Sequence, residues 1–181
     1  MKEYEIEIKG ITPYLMNRFV GDLMAKAPTC LIGTKDYASE ITNALYQSPK
    51  GEIYVPGEQI KGTLVEAGKQ MRVVGKGKAT YSKIFGAFLV ITPDTIPMTN
   101  QKWIEDARAV VIQKSRVMRY RPKFMDWGLK FTITTLTDNI SAEILKEGLE
   151  LAGNFSGIGD FRPQKKGSFG RFMVTSFKEV K

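Results

Sequence analysis

The first residues of the chain alternate strictly between polar and apolar side chains. Tyr4, Ile6 and Ile8 fall on one side of an extended backbone, and acidic residues fall on the other side. This period of two predicts a strand over residues 3–9 with one buried face. Shorter apolar runs bounded by turn residues predict further strands. These lie over residues 52–55, 89–92, 107–121, 128–137 and 171–177.

Two longer segments carry apolar residues at helical spacing. In residues 58–72 an apolar residue recurs every three or four positions from Ile60 to Met71, which predicts an amphipathic helix. A second helix is expected to begin after Ser141, which is a good N-cap, and to stop at Gly153. Two shorter helices are predicted over residues 36–46 and 81–88.

Strand, helix, strand, strand, helix, strand is the order that remains when the irregular segments are set aside. This order is typical of an α+β ferredoxin-like or RRM-like βαββαβ core, in which an antiparallel sheet carries two helices on one face. We expect one domain over residues 1–181, with insertions after strand 1 and after helix 1, at about residues 11–50 and 73–106. Many RNA-binding domains use the open sheet face, but unrelated enzymes share the fold, so it does not give a function by itself.

The first insertion is unusually apolar for a surface loop. Its apolar side chains either pack over the core of the chain itself or dock on a neighbouring subunit. The residues concerned are Tyr14, Leu15, Met16, Phe19, Leu23 and Met24.

The amino-acid composition excludes several kinds of catalytic and metal site. The chain has no His and one Cys, which excludes a Ser-His-Asp triad, a His general base, an HExxH zinc site and an intramolecular disulfide. We expect no metal and no cofactor. No apolar stretch approaches the roughly 20 residues of a membrane-spanning helix, and the charged N-terminus is unlike a signal peptide. The expected location is the cytoplasm, without membrane contact.

The chain is basic, with 27 Lys and Arg against 19 Asp and Glu and a net charge of +8. Such a balance favours a polyanionic partner, nucleic acid in particular. Residues 153–172 combine glycines, cations and Phe, which allow close approach, neutralise phosphates and stack on bases. A merely flexible connection would not explain the coincident cations. The candidate contacts here are Arg162, Lys165, Lys166, Phe169, Gly170 and Arg171, with Phe161 as a further stacking residue.

Residues 108–130 form a second basic stretch, in which Asp126 is the only acid. On a strand, Arg119 and Arg121 share one face and Tyr120 takes the other. The stretch fits either a clamp for a single strand or a charged sheet edge that discourages pairing with other strands. The candidate contacts are Arg116, Arg119, Tyr120, Arg121 and Lys123.

A third candidate lies where a short strand runs through Pro56 and Gly57 into the helix that bears Lys61. Backbone amides at a helix start attract phosphate, and a cation in the first turn opposes the helix dipole. A bound anion near Lys61 would account for this placement, and a solvated Lys on an ordinary helix is the alternative.

These motifs together carry a family resemblance. They are Val55-Pro56-Gly57, Ile60-Lys61-Gly62, Leu64, Gly157, Gly159, Gly167, Phe169, Gly170 and Arg171. The pattern resembles the RAMP superfamily and, within it, the guide-RNA-binding backbone subunits of CRISPR effector complexes. The sequence departs from the usual motif at Glu58 and Gln59, where a Ser is expected.

The resemblance implies a non-enzymatic subunit that binds single-stranded RNA without sequence preference. It implies partners as well: copies of the same chain in a head-to-tail filament, and other effector subunits. Lys61 and the Gly-rich loop would lie near the RNA backbone. Some relatives cut target RNA with a metal-assisted Asp after strand 1, where this chain has Asp22 and Asp36 without a matching motif.

Alternatives remain at this stage. The chain could be an RNA-processing or metal-dependent endoribonuclease of the same superfamily, or a phage structural or assembly protein with a protein partner. It is short for a backbone subunit, so a stand-alone or phage-encoded relative is also compatible. DNA is the alternative ligand to RNA.

Overall fold

The computed structural model describes residues 1–18, 37–112 and 114–180. Its strands are β1 (Lys2–Gly10), β2 (Tyr14–Leu15), β3 (Tyr54–Pro56), β4 (Leu89–Thr92), β5 (Thr95–Pro97), β6 (Ile104–Ile112), β7 (Ser115–Phe124), β8 (Gly128–Thr135) and β9 (Phe172–Glu179). Its helices are α1 (Tyr37–Asn43), α2 (Gly57–Ala67), α3 (Tyr81–Phe88) and α4 (Ala142–Leu151). A π-helical turn (Ala152–Ser156) continues α4, and a 3-10 turn (Pro163–Lys165) lies before β9.

The larger sheet has the strand order β4-β8-β1-β9, and all neighbouring strands in it are antiparallel. Helix α2 lies between β1 and β4 in the chain, and α4 lies between β8 and β9. Ile6 lies opposite Phe131 on one side and Phe177 on the other, so the alternating apolar positions form one continuous face. The ferredoxin-like α+β core predicted from the sequence is confirmed.

Helices α2 and α4 cover the apolar face of this sheet. Ile60 and Leu64 of α2 are buried in the same core as Leu145 and Leu149 of α4. Each such side chain contributes about 1.5–3 kcal/mol through removal from water. The predicted cap of α4 is present, because Ser141 Oγ accepts a hydrogen bond from a backbone N–H three residues on, at 3.3 Å.

A smaller sheet, with the order β2-β7-β6, stands outside the core sheet. The single strand predicted over residues 107–121 is wrong: the chain reverses near residue 114, and β6 and β7 form a hairpin in which Arg108 lies opposite Arg119. Lys114 adopts a φ of 68°. The reversal thus uses a Lys in the left-handed region instead of a Gly or Pro, so the usual sequence signal for a turn is missing.

The sequence predicts an insertion at about residues 73–106. Strand β4 lies inside that range and supplies the second strand of the core, with Ile91 opposite Ile133. The hairpin of β6 and β7 is the segment that stands outside the core sheet. From the sequence, the longer strand predicted over residues 107–121 was assigned to the core sheet. In the structure the short strand β4 takes that position next to β8.

Helix α2 ends earlier than predicted, at Ala67 instead of residue 72. At the next residue, Gly68, a Cβ would lie 2.8 Å from the backbone nitrogen of Ser82 in α3. The backbones of α2 and α3 thus approach closely where α2 ends, and Met71 of the predicted stripe is still buried beyond that end. Strand β5 was not predicted, because it has only three residues and pairs with the equally short β3.

The apolar start of the first insertion packs on the core. Tyr14, Leu15 and Met16 are fully buried, which confirms self-packing for these three residues. Phe19, Leu23 and Met24 lie outside the described residues. Within the part of the chain that the structure describes, no helix is long and apolar enough to cross a membrane.

Candidate nucleic-acid interface

The Gly-rich segment between α4 and β9 is tied closely to the rest of the fold. The backbone N–H of Gly170 donates to the carbonyl of Pro13, and its carbonyl accepts from Ile158 N at 2.9 Å. Gly170 has a φ of 72°, and a Cβ there would lie only 1.8 Å from the Ile158 carbonyl oxygen. A side chain is sterically excluded at this position. The segment is therefore a shaped loop, not a slack connection.

The loop meets the start of α2, so two motifs that the sequence presents separately lie together. Thr63 Oγ1 donates to the Gly157 carbonyl at 2.8 Å and is buried. Tyr14 OH donates to Gln59 Oε1 at 3.0 Å, which fixes the first turn of the helix. Burial raises the pKa of Tyr14, so the hydroxyl stays a donor at ordinary pH. Beside this contact, the first turns of α2 and the loop together line a cleft of about 320 Å³.

Asp160 connects the loop to the hairpin. One oxygen of its carboxylate lies 2.8 Å from Arg121 Nη1 on β7 and accepts from Asn17 Nδ2 at 3.1 Å. The other oxygen accepts from the backbone N–H of Phe161 at 2.9 Å. The Arg121 side chain is only 11% exposed. Sequence reasoning missed Asp160, because a lone acid among glycines and cations carries no signal of its own.

A second carboxylate, Asp106 on β6, gathers the neighbouring cations. It lies 2.6 Å from Arg108 Nε and 3.1 Å from Lys123 Nζ, and only 6% of its surface is exposed. Burial by itself would raise the pKa of Asp106, but the hydrogen bonds and charges of the two cations outweigh it and hold that pKa below its ordinary value. Asp106 was also missed, because its role depends on Lys123, which is distant in the sequence and is brought near by the hairpin.

The predicted contact residues thus divide by what they touch within the chain. Arg121 and Lys123 hold the two carboxylates, and Arg119 Nη1 lies 2.9 Å from Glu40 Oε1. Arg162 and Arg171 donate to loop carbonyls, those of Gly159 and Asn154. Among these contacts the Arg121–Asp160 pair joins the hairpin to the loop, and the others lie within the hairpin, within the loop segment or between β7 and α1. Tyr120 lies on the opposite face of β7 from Arg119 and Arg121, as predicted.

Other predicted cations extend into solvent. Lys165 and Lys166 are exposed on the loop, and Arg116 is exposed near the tip of the hairpin. Lys61 is half-buried and lies away from the cleft, in a hollow that it shares with Glu58, Asp94 and β4. Gly57 and Glu58, the first residues of α2, line the same hollow as Lys61, whereas the cleft beside the loop is lined by Gln59, Gly62 and Thr63.

Two Phe rings and a guanidinium meet where the loop touches β6. The Arg108 Cζ lies 4.6 Å from the ring centroid of Phe169 and 5.9 Å from that of Phe161. Both rings belong to predicted stacking residues, but Phe169 is only 7% exposed, whereas Phe161 is 40% exposed. Of the two rings, Phe161 offers the accessible surface.

The open face of the core sheet is different in character. By register it presents Glu5, Glu7 and Lys130, and Lys130 Nζ lies 2.9 Å from Glu7 Oε1. Val90 and Thr92 of β4 and Met173 of β9 also face outward. None of the residues that the structure places on this face is aromatic, so it lacks the stacking residues that RRM sheets use.

The weak catalytic candidates, Asp22 and Asp36, lie outside the described residues. Among residues 1–18, 37–112 and 114–180, no group of three or more His, Cys, Asp or Glu side chains is arranged to hold a metal ion.

Comparison with known proteins identifies a shared fold but no family. No protein-family model and no curated protein matches the sequence. Among solved structures, the chain is similar to one from the cryo-EM structure of the Type III-B Cmr-beta bound to cognate target RNA, with a TM-score of 0.63 and 14% sequence identity. The match covers 99% of this chain and 61% of that chain. This chain therefore spans about three fifths of the length of its structural neighbour, and the two share a fold over that span.

Proposed function

We propose that this protein is a non-enzymatic RNA-binding subunit of a CRISPR-type ribonucleoprotein, and that it belongs to the RAMP superfamily. One observation carries the proposal: the basic hairpin, the Gly-rich loop and the start of α2 meet in one place. Thr63 and Gly157 join the helix to the loop, and Arg121 and Asp160 join the loop to the hairpin. The fold shared with a chain of the RNA-bound Cmr-beta supports the same assignment.

The contacts within the chain rank the candidate phosphate ligands. A cation that already holds a carboxylate must give up that partner to bind a phosphate, which offsets part of the gain. Lys165, Lys166 and Arg116 are exposed and enter no ion pair with a described residue. They are the primary phosphate contacts in this proposal, and Arg121, Lys123 and Arg162 act mainly by shaping the surface.

The proposed partners are single-stranded RNA, further copies of the chain in a head-to-tail filament, and other subunits of the complex. Contacts through phosphates and base faces carry no sequence information, so the binding would be sequence-independent. A filament along RNA also requires that the positive surface continue from one copy to the next, in keeping with the net charge of +8.

The direct test is fluorescence anisotropy of the purified protein with a labelled single-stranded RNA over a salt series. The logarithm of the affinity should fall with the logarithm of the salt concentration by about 0.7 per phosphate contacted. A parallel series with DNA of the same sequence identifies the preferred ligand. An affinity that does not respond to salt would contradict the proposal.

A matched pair of double variants locates the contacts. Replacing Lys165 and Lys166 by Ala should weaken binding by about tenfold near physiological salt and lower the salt slope by about 1.4, because two phosphate contacts are lost. The control replaces Lys76 and Lys78, which are also exposed but lie beyond the far end of α2. Both double variants lose the same charge. An equal loss in both would show that only the overall charge matters.

A further inference from the structure

The junction between loop and hairpin contains a surface that the phosphate contacts do not use. Phe161 is 40% exposed and lies beside the guanidinium of Arg108, a residue whose side chain is 42% exposed. Phe169 lies beneath the pair, with its ring centroid 6.1 Å from that of Phe161. A planar cation and an aromatic ring at one surface form the combination on which unpaired bases stack.

We propose that Arg108 and Phe161 form a stacking platform for one nucleobase of a bound single strand. This inference rests on the proposed function and adds to it a contact that depends on the base, next to the contacts that depend on phosphate. Phe169 is the buried support of the platform, since it is the ring closer to Arg108 Cζ, at 4.6 Å against 5.9 Å.

The backbone at Phe161 argues that the ring has a use of its own. Phe161 adopts a φ of 51°, in the left-handed region, which is unfavourable for a residue with a Cβ. A Gly would take the same conformation without strain, and the loop already has Gly at positive φ at residues 157, 159 and 170. Because the Phe161 side chain is partly exposed and its backbone is strained, packing within the protein does not by itself account for a Phe at this position.

The loop holds the backbone of Phe161 through several contacts. The Phe161 N–H donates to Asp160 Oδ1 at 2.9 Å, and its carbonyl accepts from Phe169 N at 3.1 Å. Gly167 packs so closely that a Cβ there would lie 1.7 Å from the Phe161 carbonyl oxygen. Because the backbone that bears the ring is held in advance, less freedom is lost when a base stacks on the ring, which favours binding.

Arg108 is fixed in a similar way. Its Nε donates to Asp106 Oδ2 at 2.6 Å, so the guanidinium is oriented by a carboxylate that is itself almost fully buried. The exposed Lys166 directly precedes Gly167, which touches the Phe161 backbone. A phosphate contact and a base contact therefore lie within the same loop, as the adjacent parts of one nucleotide chain require.

The test compares two labelled probes of equal length and charge: a 15-nucleotide oligouridine RNA and a 15-nucleotide abasic backbone. Wild-type protein should bind the oligouridine more tightly. Phe161→Leu, which keeps an apolar side chain and removes the aromatic face, should lose affinity for oligouridine by at least about fivefold, the lower end of what one stacked base contributes. Its affinity for the abasic probe should not change. Phe161→Trp should retain or strengthen the preference for oligouridine.

Phe88→Leu is the matched control. Phe88 is 39% exposed and directly precedes β4, at the edge of the core sheet opposite β9, so the same chemical change there should alter neither affinity. Thermal unfolding of each variant confirms that it is folded.

The outcomes separate the two proposals. If wild-type protein binds neither probe, the RNA-binding function fails and the platform fails with it. If it binds both probes in a salt-dependent manner and Phe161→Leu keeps the wild-type ratio of the two affinities, RNA binding stands and the platform is overturned.

Discussion

The open face of the core sheet and the junction between hairpin and loop both carry many charged side chains, but they use them differently. On the sheet, Glu7 and Lys130 lie opposite each other with side chains 45% and 64% exposed. At the junction, Asp106 and Asp160 sit among Arg108, Lys123 and Arg121, and much of their surface is covered. Charges on the sheet neutralise one another in water, whereas charges at the junction join separate elements of the fold.

Many RNA-binding domains with this fold use the open sheet face, but the described residues on that face of this protein include exposed ion pairs and no aromatic side chain. Exposed ion pairs contribute about 0–1 kcal/mol and leave a surface of low net charge. At the junction, the internal carboxylates hold some cations in place while Lys165 and Lys166 extend outward. The basic and aromatic surface of this protein lies beside its core sheet, on the inserted hairpin and the loop.

The most disruptive single change that we expect at the junction is Gly170→Ala. A methyl group there would lie 1.8 Å from the Ile158 carbonyl oxygen at a φ of 72°, and we expect a loss of about 3–4 kcal/mol in the free energy of unfolding. Gly62→Ala is the control, because a Cβ at Gly62 meets nothing within 4 Å. Being inside α2, it should gain about 0.5–1 kcal/mol. Urea denaturation measures both, and equal effects would contradict the steric argument.

Asp106→Asn should come next in size. At neutral pH it removes the charge that Arg108 and Lys123 share, at an expected loss of about 2 kcal/mol. Because the pKa of Asp106 is lowered in the folded state, its stabilising contribution is present above the pKa of the unfolded chain and disappears as the pH falls through the lower folded value.

Thermal unfolding at pH 7 and near pH 3 measures this difference between wild type and Asp106→Asn. The gap between the two proteins should narrow in acid. A gap of constant size at both pH values would show that the carboxylate charge is not what stabilises this part of the junction.

The smallest effects are expected when one ion pair is broken at the junction and one on the open sheet face. Asp160→Asn breaks the pair with the poorly exposed Arg121 and should lower the free energy of unfolding by about 1–2 kcal/mol. Glu7→Gln breaks the exposed pair with Lys130 and should change it by less than about 0.5 kcal/mol. Chemical denaturation of the two variants side by side gives the comparison. A loss at Glu7 as large as that at Asp160 would remove the distinction between sheet and junction.

Elements with a strong local pattern were predicted well. The predicted helix over residues 81–88 and strand over residues 89–92 coincide with α3 and β4, and the alternation at the N-terminus gave β1 to within one residue at each end. Errors arose where distant contacts decide. Helix α2 ends where Gly68 meets α3, and the hairpin reverses at a Lys with positive φ.

In the candidate site, too, the features with a local sequence pattern were predicted and those that depend on distant contacts were not. The Gly-rich loop and the start of α2 were each singled out from their own residues, and they lie together through Thr63 and Gly157. Asp106 and Asp160 were not anticipated, because the role of each depends on cations that other segments bring near. Phe161 and Phe169 were both predicted to stack on bases, and only the structure shows that Phe161 is the more exposed of the two.

By itself the sequence determined the class of fold, the amphipathic faces of the main helices and strands, and the excess of positive charge. These properties follow from residue type and from periods of two or three to four residues, which act within one element. Only the tertiary structure decided which cations hold carboxylates and which face solvent. That outcome depends on strand register and on loop closure between residues far apart in the chain, as Arg121 and Asp160 are. Such contacts form only when the packing of the core sheet has fixed the positions of the hairpin and the loop.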